Sequence, residues 1–462
     1  MKNEWTNIDW NVMENLEKEQ MTEEQVSELL EKTEKGKTMQ TVNNCVIALE
    51  HDPVMKKGIK KNVLTGRVDI VKNMGWDKES ITLNDDDMAY LKLMLEMKYD
   101  LRNEKKIYEA IRIVADKNKY HPIKDYLEDL EWDGTERIRY VLHKYLGADT
   151  SDMTYESLKL FMLGAVHRIY EPGCKFEYML CLVGSQGAGK STFFRFLALQ
   201  DEWFSDDLRK LDDDNVYRKM QGHWIIELAE MLATSGAKTI EETKAFISRQ
   251  KETYKVPYDR YPQDRPRQCV FAGTSNKKRF LPFDRTGNRR FLPVETNSRF
   301  AECHVMDDEK ETRAYMKQLW AEIMVIYQSK DFSLTLSKEM SKEMDVYRNQ
   351  FMAEDTNAGI IQDFLDRTTH EYVCTNLLYQ EALGNFGNPD RRVTNEINDI
   401  LHNVIDGWIE GPTHRFKNYG TQRSWVRMDS LERDISQCTK VEFHPMTDTE
   451  VKSVQMDIFG KK

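Results

Sequence analysis

One stretch of the chain, residues 179–199, strongly limits the folds that the sequence can adopt. It reads MLCLVGSQGAGKSTFFRFLAL: five apolar residues, a glycine-rich turn and the amphipathic start of a helix. Residues 184–191 fit the pattern Gly-x4-Gly-Lys-Ser, which is typical of loops that hold nucleotide phosphates. Glycines let successive backbone N–H groups turn towards phosphate oxygens, and the following helix directs its positive end at the same anion. The stretch therefore predicts a strand, a phosphate loop and a helix.

The loop residues have distinct predicted roles. Lys190 is expected to reach the β- and γ-phosphates, and Ser191 is expected to ligate Mg²⁺. A nucleotide and Mg²⁺ are therefore the predicted cofactors, and ATP is the nucleotide that the family resemblance given below implies. The predicted cofactor-binding residues are Gly184, Ser185, Gln186, Gly187, Ala188, Gly189, Lys190, Ser191 and Thr192.

Two further apolar stretches end in polar residues that suit nucleotide hydrolysis. HWIIELAEM carries Glu227 after an apolar run and Glu230 just beyond it. A carboxylate there would hold hydrated Mg²⁺ or polarise the attacking water, so Glu227 is predicted near the metal with Ser191; which glutamate is the base stays open. CVFAGTSN ends in Asn276, a side chain suited to hydrogen-bond the γ-phosphate or the water.

Arginines follow in FDRTGNRRFLPVE, which contains Arg285, Arg289 and Arg290. An arginine that completes a neighbouring subunit's site stabilises charge in the transition state. Arg289 or Arg290 is predicted to have this role, and the alternative is surface charge beside a turn at Gly287.

A basic and aromatic segment, residues 248–268, lies between the acidic stretch and Asn276. The whole chain has a net charge of -11, which argues against a protein coated in nucleic acid but allows a local basic patch. Six Lys or Arg and three Tyr in this segment suit phosphate neutralisation and base stacking on a single strand, whereas the alternative is a solvated loop. Its prolines favour a loop or bulged hairpin. The predicted DNA contacts are Lys251, Lys255, Tyr258, Arg260, Arg265 and Arg267.

The remaining segments predict smaller modules around a core that alternates strands and helices, the pattern of an α/β protein with a parallel sheet. The predicted boundaries are 1–118 for an N-terminal tail and small mixed domain, 119–150 for a helical connector, 151–335 for the ATPase core, 336–430 for a linker helix and winged-helix-like domain, and 431–462 for a tail. Asp85, Asp86 and Asp87 are interpreted as the acidic first turn of a helix, in preference to a metal site.

The winged-helix prediction depends on helical segments at 356–367, 375–384 and 391–405, followed by a basic, aromatic hairpin. A recognition helix would dock in the major groove of duplex DNA while Arg415 and Lys417 of the wing meet phosphate. A protein-interaction or lid module is the alternative.

Five motifs in order, HPIKDYLEDLEWDGTERI, GSQGAGKSTF, WIIELAEM, VPYDRYPQDRPRQCVFAGTSN and DRTGNRRFLPVE, resemble those of the virulence-associated protein E family. Its members are ATPases of phages and pathogenicity islands, similar to superfamily 3 helicases. The resemblance covers about 120–295 and implies an AAA+-like core, a ring expected to be a hexamer, and DNA unwinding during replication of a mobile element. An ATP-switched loader or origin-binding protein that does not unwind DNA is the alternative.

The resemblance also implies roles for single residues. The family's phosphate-loop lysine falls on Lys190, its acidic strand on Glu227, its sensor on Asn276 and its arginine finger on Arg289–Arg290. A DNA-contacting hairpin is implied at 251–268. The spacing Glu-Leu-Ala-Glu departs from the adjacent Asp-Glu of relatives, which leaves the base open. The roughly 118 residues before the connector are too few for a primase, so a separate primase is expected.

No apolar run reaches the ~18–20 residues that span a bilayer, and the acidic first residues do not suit a signal peptide. Seven scattered cysteines without a C-x-x-C pair predict reduced thiols and no zinc site, so the expected location is cytoplasmic. Near the C-terminus, Gln455, Met456, Asp457, Ile458 and Phe459 resemble the motif by which bacterial replication proteins bind the sliding clamp. The alternative is a tail whose apolar residues pack on the protein's own core.

Overall fold

The computed structural model describes residues 21–208, 216–229, 237–254, 263–281, 288–353 and 355–428. The described residues up to Ala353 form one compact unit, and those from Asp355 onwards form a second. Within the described residues, no helix combines the length and apolar character needed to cross a membrane.

The first unit begins with a small domain of helices around a three-stranded sheet. Its elements are α1 (Glu23–Leu29), α2 (Val42–His51), β1 (Ile59–Asn62), β2 (Val68–Ile70), α3 (Asp85–Tyr99), α4 (Glu104–Lys117) and β3 (Lys119–Tyr120). The strand order is β2-β1-β3, with β1 antiparallel to β2 and parallel to β3. Apolar faces of α2, α3 and α4 supply the core of this domain.

The three consecutive aspartates occupy the first turn of α3, in agreement with the acidic-turn interpretation. Asn84 caps the helix, and the Asp87 side chain accepts a hydrogen bond from the Asn84 backbone at 3.0 Å, completing a capping box. Asp87 also accepts from the Trp76 indole at 2.8 Å and pairs with Lys78. No cluster of three potential His, Cys, Asp or Glu metal ligands occurs in the described parts of the chain.

The centre of the first unit is a five-stranded parallel sheet, as the α/β pattern predicts. Its strands are β4 (Met179–Val183), β5 (Phe204–Ser205), β6 (Ile225–Ala229), β9 (Val270–Ser275) and β10 (Phe291–Glu295), in the order β10-β4-β9-β6-β5. Every residue of β4 and β9 is buried, because helices cover both faces of a parallel sheet. All the strands point the same way, so their carboxyl ends share one edge.

Helices surround this sheet and close its core. They are α5 (Pro122–Glu128), α6 (Val141–Leu146), α7 (Asp152–Tyr170), α8 (Lys190–Leu197), α9 (Val216–Met220), α10 (Ala237–Ile247), α11 (Glu309–Ser329) and α12 (Lys338–Arg348), with 3-10 turns at Asp201–Trp203, Ser298–Phe300 and Asn349–Phe351. Trp224 and Trp320 pack against each other with ring centroids 4.3 Å apart and ring planes tilted by 34°. Their indole N–H groups donate to the carbonyls of Ala165 and Leu197, so these large rings are buried without an unpaired donor.

A two-stranded hairpin of β7 (Lys251–Tyr254) and β8 (Gln263–Pro266) follows α10. The two strands are antiparallel, with Lys251 opposite Pro266 and Tyr254 opposite Gln263. A hairpin is one of the two forms that the prolines predicted.

The second unit contains three helical segments and a three-stranded antiparallel sheet. Its elements are α13 (Thr356–Arg367), β11 (Tyr372–Val373), α14 (Thr375–Leu377) continued by a π-turn at Leu378–Ala382, α15 (Arg391–Asn403), β12 (Trp408–Phe416) and β13 (Gly420–Arg427). The strand order is β11-β13-β12, and the helices pack on it through a separate apolar core. The helix α12, grouped with this module in the sequence analysis, lies in the first unit.

Candidate nucleotide-binding site

The phosphate loop connects β4 to α8 at the carboxyl edge of the sheet. Gly187 and Gly189 have φ angles of +80° and +84°, a left-handed conformation that favours glycine. A Cβ on Gly189 would also stand 2.7 Å from the Cγ1 of Val305, and a Cβ on Gly184 would collide with Thr296. The backbone of the loop is thus fixed by glycines at positions where any side chain would clash or strain it.

Lys190 lies inside this loop and is only 6 % exposed. Its ammonium group donates to the carbonyl of Gly184 at 2.8 Å, to that of Ser185 at 2.7 Å and to the Asn276 side-chain oxygen at 3.0 Å. Burial lowers the pKa of Lys190, and the nearby Glu227 charge opposes that shift. Asn276 reaches the lysine because β9 is the neighbour of β4, and Asn276 directly follows β9.

Ser191 and Glu227 form the second part of the site. The Ser191 hydroxyl donates to Oε1 of Glu227 at 2.7 Å, and the Thr274 hydroxyl donates to the same oxygen. Glu227 is fully buried, and its other oxygen, Oε2, has no hydrogen-bond partner among the described atoms. Burial raises the pKa of the Glu227 carboxyl, while the two hydroxyl donors act in the opposite direction.

These residues fit the cofactors that the sequence predicts. A hydroxyl beside a buried carboxylate with one unused oxygen is a hard-oxygen donor set of the kind that Mg²⁺ prefers. The glycine-rich turn ahead of α8 offers backbone N–H groups and a helix N-terminus to phosphate. Glu230, the other candidate base, lies outside the described residues.

Arg289 and Arg290 lie at the opposite edge of the sheet from the loop. They precede β10, whose first residue, Phe291, pairs in register with Met179 at the start of β4. Four strand steps of ~3.3 Å separate Phe291 from the level of Val183 at the loop end of β4, and both arginines lie further away still. The Arg289 side chain is 67 % exposed and lies 3.3 Å from a carboxylate oxygen of Glu177. The Arg290 Nε donates to the Ser248 hydroxyl at 2.7 Å.

The described part of the hairpin divides the predicted DNA contacts into two kinds. Lys251 is exposed and pairs with Asp264. Arg267 is only 3 % exposed: it donates to the Phe246 and Ile247 carbonyls at 2.5 and 3.2 Å and pairs with Glu252. This differs from the predicted role, because the Arg267 charge is directed inwards and fastens the hairpin base to the end of α10. Lys255, Tyr258 and Arg260 lie outside the described residues.

In the second unit, the predicted wing cations Arg415 and Lys417 are exposed, on β12 and in the turn after it. On α15, Arg391 and Arg392 are exposed, while the Asn398 side chain accepts a hydrogen bond from the Thr375 hydroxyl at 2.8 Å. Contact with duplex DNA remains a prediction for these residues. The predicted clamp motif, Gln455–Phe459, lies outside the described residues.

Two residues of the site escaped the sequence analysis. Thr274 belongs to an apolar strand, and its only signal is a hydroxyl two positions before Asn276. Thr296 follows β10 and binds the Val183 carbonyl through its backbone N–H at 2.7 Å and its hydroxyl at 3.1 Å. It thereby links β10 to the residue just before the loop.

Comparison with known proteins gives one family match and several similar solved structures. Residues 127–353 match the virulence-associated protein E-like domain. An apo structure of the NrS-1 C-terminal region (305-718) is 15% identical, covers 81% of this chain and 97% of that chain, and has a TM-score of 0.45. An A-form apo structure of the same region is 14% identical, with coverages of 80% and 96% and a TM-score of 0.45.

No curated protein matches the chain. The family match spans the whole of the sheet, the phosphate loop and the residues bonded around it. Residues 127–353 of this chain are therefore a virulence-associated protein E-like domain.

Proposed function

We propose that the chain is an ATP-dependent DNA helicase or replication initiator of a phage or mobile genetic element, which moves DNA through an oligomeric ring. The observation that carries the proposal is the set of bonds Lys190–Asn276 and Ser191–Glu227 around a glycine-rich loop. The match of residues 127–353 to the virulence-associated protein E-like domain supports it.

The first step of the proposed activity is nucleotide binding. The loop N–H groups and Lys190 would hold the β- and γ-phosphates, with Lys190 exchanging its bonds to the Gly184 and Ser185 carbonyls for bonds to phosphate oxygens. Ser191 and Glu227 would hold Mg²⁺, which when bound would supply positive charge against the phosphates. Asn276 keeps its place beside Lys190, where it meets the γ-phosphate or the attacking water.

Completion of the site by a second subunit is the next part of the proposal. Arg289 and Arg290 lie beyond the amino end of β10, so they face away from the loop of their own chain. In a ring, the same arginines would face the loop of a neighbour and stabilise the transition state there. A hexamer is the proposed assembly.

DNA is the proposed substrate that the ring would move. Its proposed contacts are the hairpin of β7 and β8 and, separately, the exposed Arg415 and Lys417. A separate primase and the host sliding clamp are proposed partners, the latter through residues 455–459.

The test is a strand-displacement assay on a forked duplex, run beside an ATPase assay with and without DNA. Lys190→Ala should abolish both activities while leaving the melting temperature close to that of the wild type. Lys175→Ala, which removes an exposed lysine ahead of β4, is the matched control and should retain both. ATP hydrolysis by Lys190→Ala at the wild-type rate contradicts the loop assignment. ATP hydrolysis by the wild type without strand displacement identifies a loader.

A further inference from the structure

A wide cleft lies within the first unit, between the small N-terminal domain and the α9–hairpin region of the sheet domain. Its volume is about 1510 Å³. The turn between β1 and β2 joins the two walls: Gln221 donates to the Thr65 carbonyl. The guanidinium of Arg265 also lies against Gly66, 2.5 Å from where a Cβ would stand.

Positive charge lines both walls of this cleft. Among the residues that the structure describes, eight Lys or Arg line it against two acidic residues, although acids outnumber Lys and Arg, 78 to 67, in the whole chain. The N-terminal wall contributes Lys61, Arg67, Arg112 and Lys119. By contrast, the small cavity of about 470 Å³ beside Arg313 and Lys317 also contains two acids, Asp201 and Glu202, so its charges balance.

The opposite wall contributes Arg218, Lys219 and Arg265. Both acids of the cleft are engaged within the chain: Asp264 pairs with Lys251, and Glu252 pairs with the buried Arg267. The charges of these two acids are therefore offset by cations within the chain. Lys61 and Lys119 pair with Asp116, and Lys219 pairs with Asp207, in exposed ion pairs. Counting these two aspartates, the described cations of the cleft still outnumber the acids, and a phosphate can compete for cations held only in exposed pairs because such pairs are weak.

Aromatic rings accompany the cations. Tyr108 is 51 % exposed and lies one helical turn from Arg112 on α4, and Tyr217 lines the facing wall. A groove whose cations follow a phosphate backbone, with rings on which bases stack, is the arrangement that binds single strands. Bases paired inside a duplex would not reach these rings.

We infer that this cleft binds single-stranded nucleic acid, with Arg67 and Arg112 on phosphate and Tyr108 on a base. The inference rests on the proposed function and deepens it by giving the DNA strand new contacts on the N-terminal wall of the cleft, Arg67, Tyr108 and Arg112, facing a wall that includes Arg265 of the hairpin. Binding at the cleft itself requires no nucleotide, so it is measured separately from ATP hydrolysis.

The experiment mixes the full chain, in the absence of ATP, with a fluorescently labelled oligo-deoxythymidylate of about 20 nucleotides. Fluorescence anisotropy measures the binding affinity. Arg67→Glu combined with Arg112→Glu should weaken binding at low salt at least tenfold. The slope of log affinity against log salt should fall in magnitude by about 1.4, because each phosphate contact on a single strand contributes ~0.7. The control, Lys35→Glu with Lys105→Glu, changes the charge equally at two exposed lysines outside the cleft and should bind within about twofold of the wild type.

A second pair of variants tests stacking. Tyr108→Ala should lower affinity about fivefold or more, while Tyr108→Phe keeps a ring and should bind like the wild type. If the double charge reversal lowers the melting temperature, the variant Arg67→Gln with Arg112→Gln is used in its place, and we expect it to lose less affinity for the oligonucleotide. Equal affinities of cleft and control variants overturn the inference, and so does equal competition by an unlabelled duplex of the same length.

The ATP-site variant separates this inference from the proposed function. Lys190→Ala should bind the oligonucleotide like the wild type, because Lys190 does not line the cleft. The cleft variants should hydrolyse ATP at the wild-type basal rate when DNA is absent. Loss of binding in Lys190→Ala contradicts an independent cleft site, whereas absence of helicase activity with intact cleft binding contradicts only the proposed function.

Discussion

The two edges of the central sheet use charged residues in opposite ways. At the carboxyl edge, Lys190 and Glu227 form hydrogen bonds to side chains and loop carbonyls, and one buried oxygen of Glu227 has no partner within the described part of the chain. At the amino edge, buried arginines donate hydrogen bonds to backbone carbonyls. Arg168 donates to the carbonyls of Cys269 and Phe176 at 2.6 and 2.5 Å, and Arg348 donates to the Phe291 carbonyl at 2.9 Å.

This difference between the two edges indicates that one contributes mainly to stability and the other to the proposed chemistry. A buried arginine that binds two carbonyls satisfies acceptors just ahead of the strands and holds them in register. Arg168 Nε and Glu227 Oε2 both lack a hydrogen-bond partner among the described atoms, but the other bonds of Arg168 satisfy the backbone, whereas those of Glu227 come from hydroxyls of the candidate site. We therefore expect the amino edge to contribute mainly to stability and the buried Glu227 carboxylate of the proposed site to reduce it.

Arg289 is the exception at the amino edge, because most of its side chain faces solvent. If it acts on a neighbouring subunit, Arg289→Ala with Arg290→Ala should lower ATP hydrolysis about 1000-fold. Mixing this protein with Lys190→Ala should restore activity, since roughly a quarter of the interfaces in mixed rings then combine an intact loop with intact arginines. The measurement is steady-state ATPase of the mixture against each protein alone. A mixture as inactive as its components would mean that the arginines do not act between subunits.

The variant Glu227→Gln tests whether the buried carboxylate at the carboxyl edge lowers stability while serving ATP hydrolysis. Glutamine keeps an acceptor for Ser191 and Thr274 but removes the buried charge, so hydrolysis should fall at least about 100-fold while the metal-free protein melts at a higher temperature. Calorimetry in EDTA and an ATPase assay measure the two effects. Glu202→Gln, at an exposed glutamate, should change neither. A lower melting temperature for Glu227→Gln would refute the idea that this carboxylate is a cost to the fold.

Arg168→Ala should produce the reverse pattern at the amino edge. It leaves the Cys269 and Phe176 carbonyls buried without their donor, at a cost of about 2 kcal/mol of unfolding free energy. Burial lowers the pKa of Arg168 to about 10, so the group remains charged at neutral pH and its bonds are charge-assisted. Urea unfolding measures the loss, with the exposed Arg102→Ala as the control. Activity per folded molecule should stay constant; a selective loss of turnover would tie this edge to the chemistry.

The sequence predicts local features of this site better than its long-range ones. The strand, loop and helix around Lys190 follow from a contiguous pattern, and Asn276 follows from its position at the end of an apolar run. The burial of Arg267 does not follow, because its partners are carbonyls of α10 and the Glu252 side chain on the paired strand. Alternation of cations with tyrosines cannot distinguish a charge that faces DNA from one that faces inwards.

The cleft could not be predicted from local sequence patterns, because residues far apart in sequence form it. Its walls come from residues 61–119 and 172–269, segments brought together by the turn at Thr65 and Gly66. Lys61 or Arg112 alone is an ordinary solvated charge on a strand or helix. Only the packing of the small domain against α9 and the hairpin brings these charges to face those of Arg218 and Arg265.

The anchoring of Arg267 has a mechanical consequence for the hairpin. Its guanidinium lies 5.1 Å from the ring centroid of Phe271 on β9, and its backbone binds Gln250 and Gly173. A pull on the hairpin is therefore passed into β9, which is hydrogen-bonded along its length to β4 on one side and β6 on the other. Such a strand resists shear because many bonds share the force. If the chain works as the proposed ring, we expect the hairpin base to move as a rigid arm with its whole subunit, so that the step length would be set by rotation between subunits and not by bending of the arm.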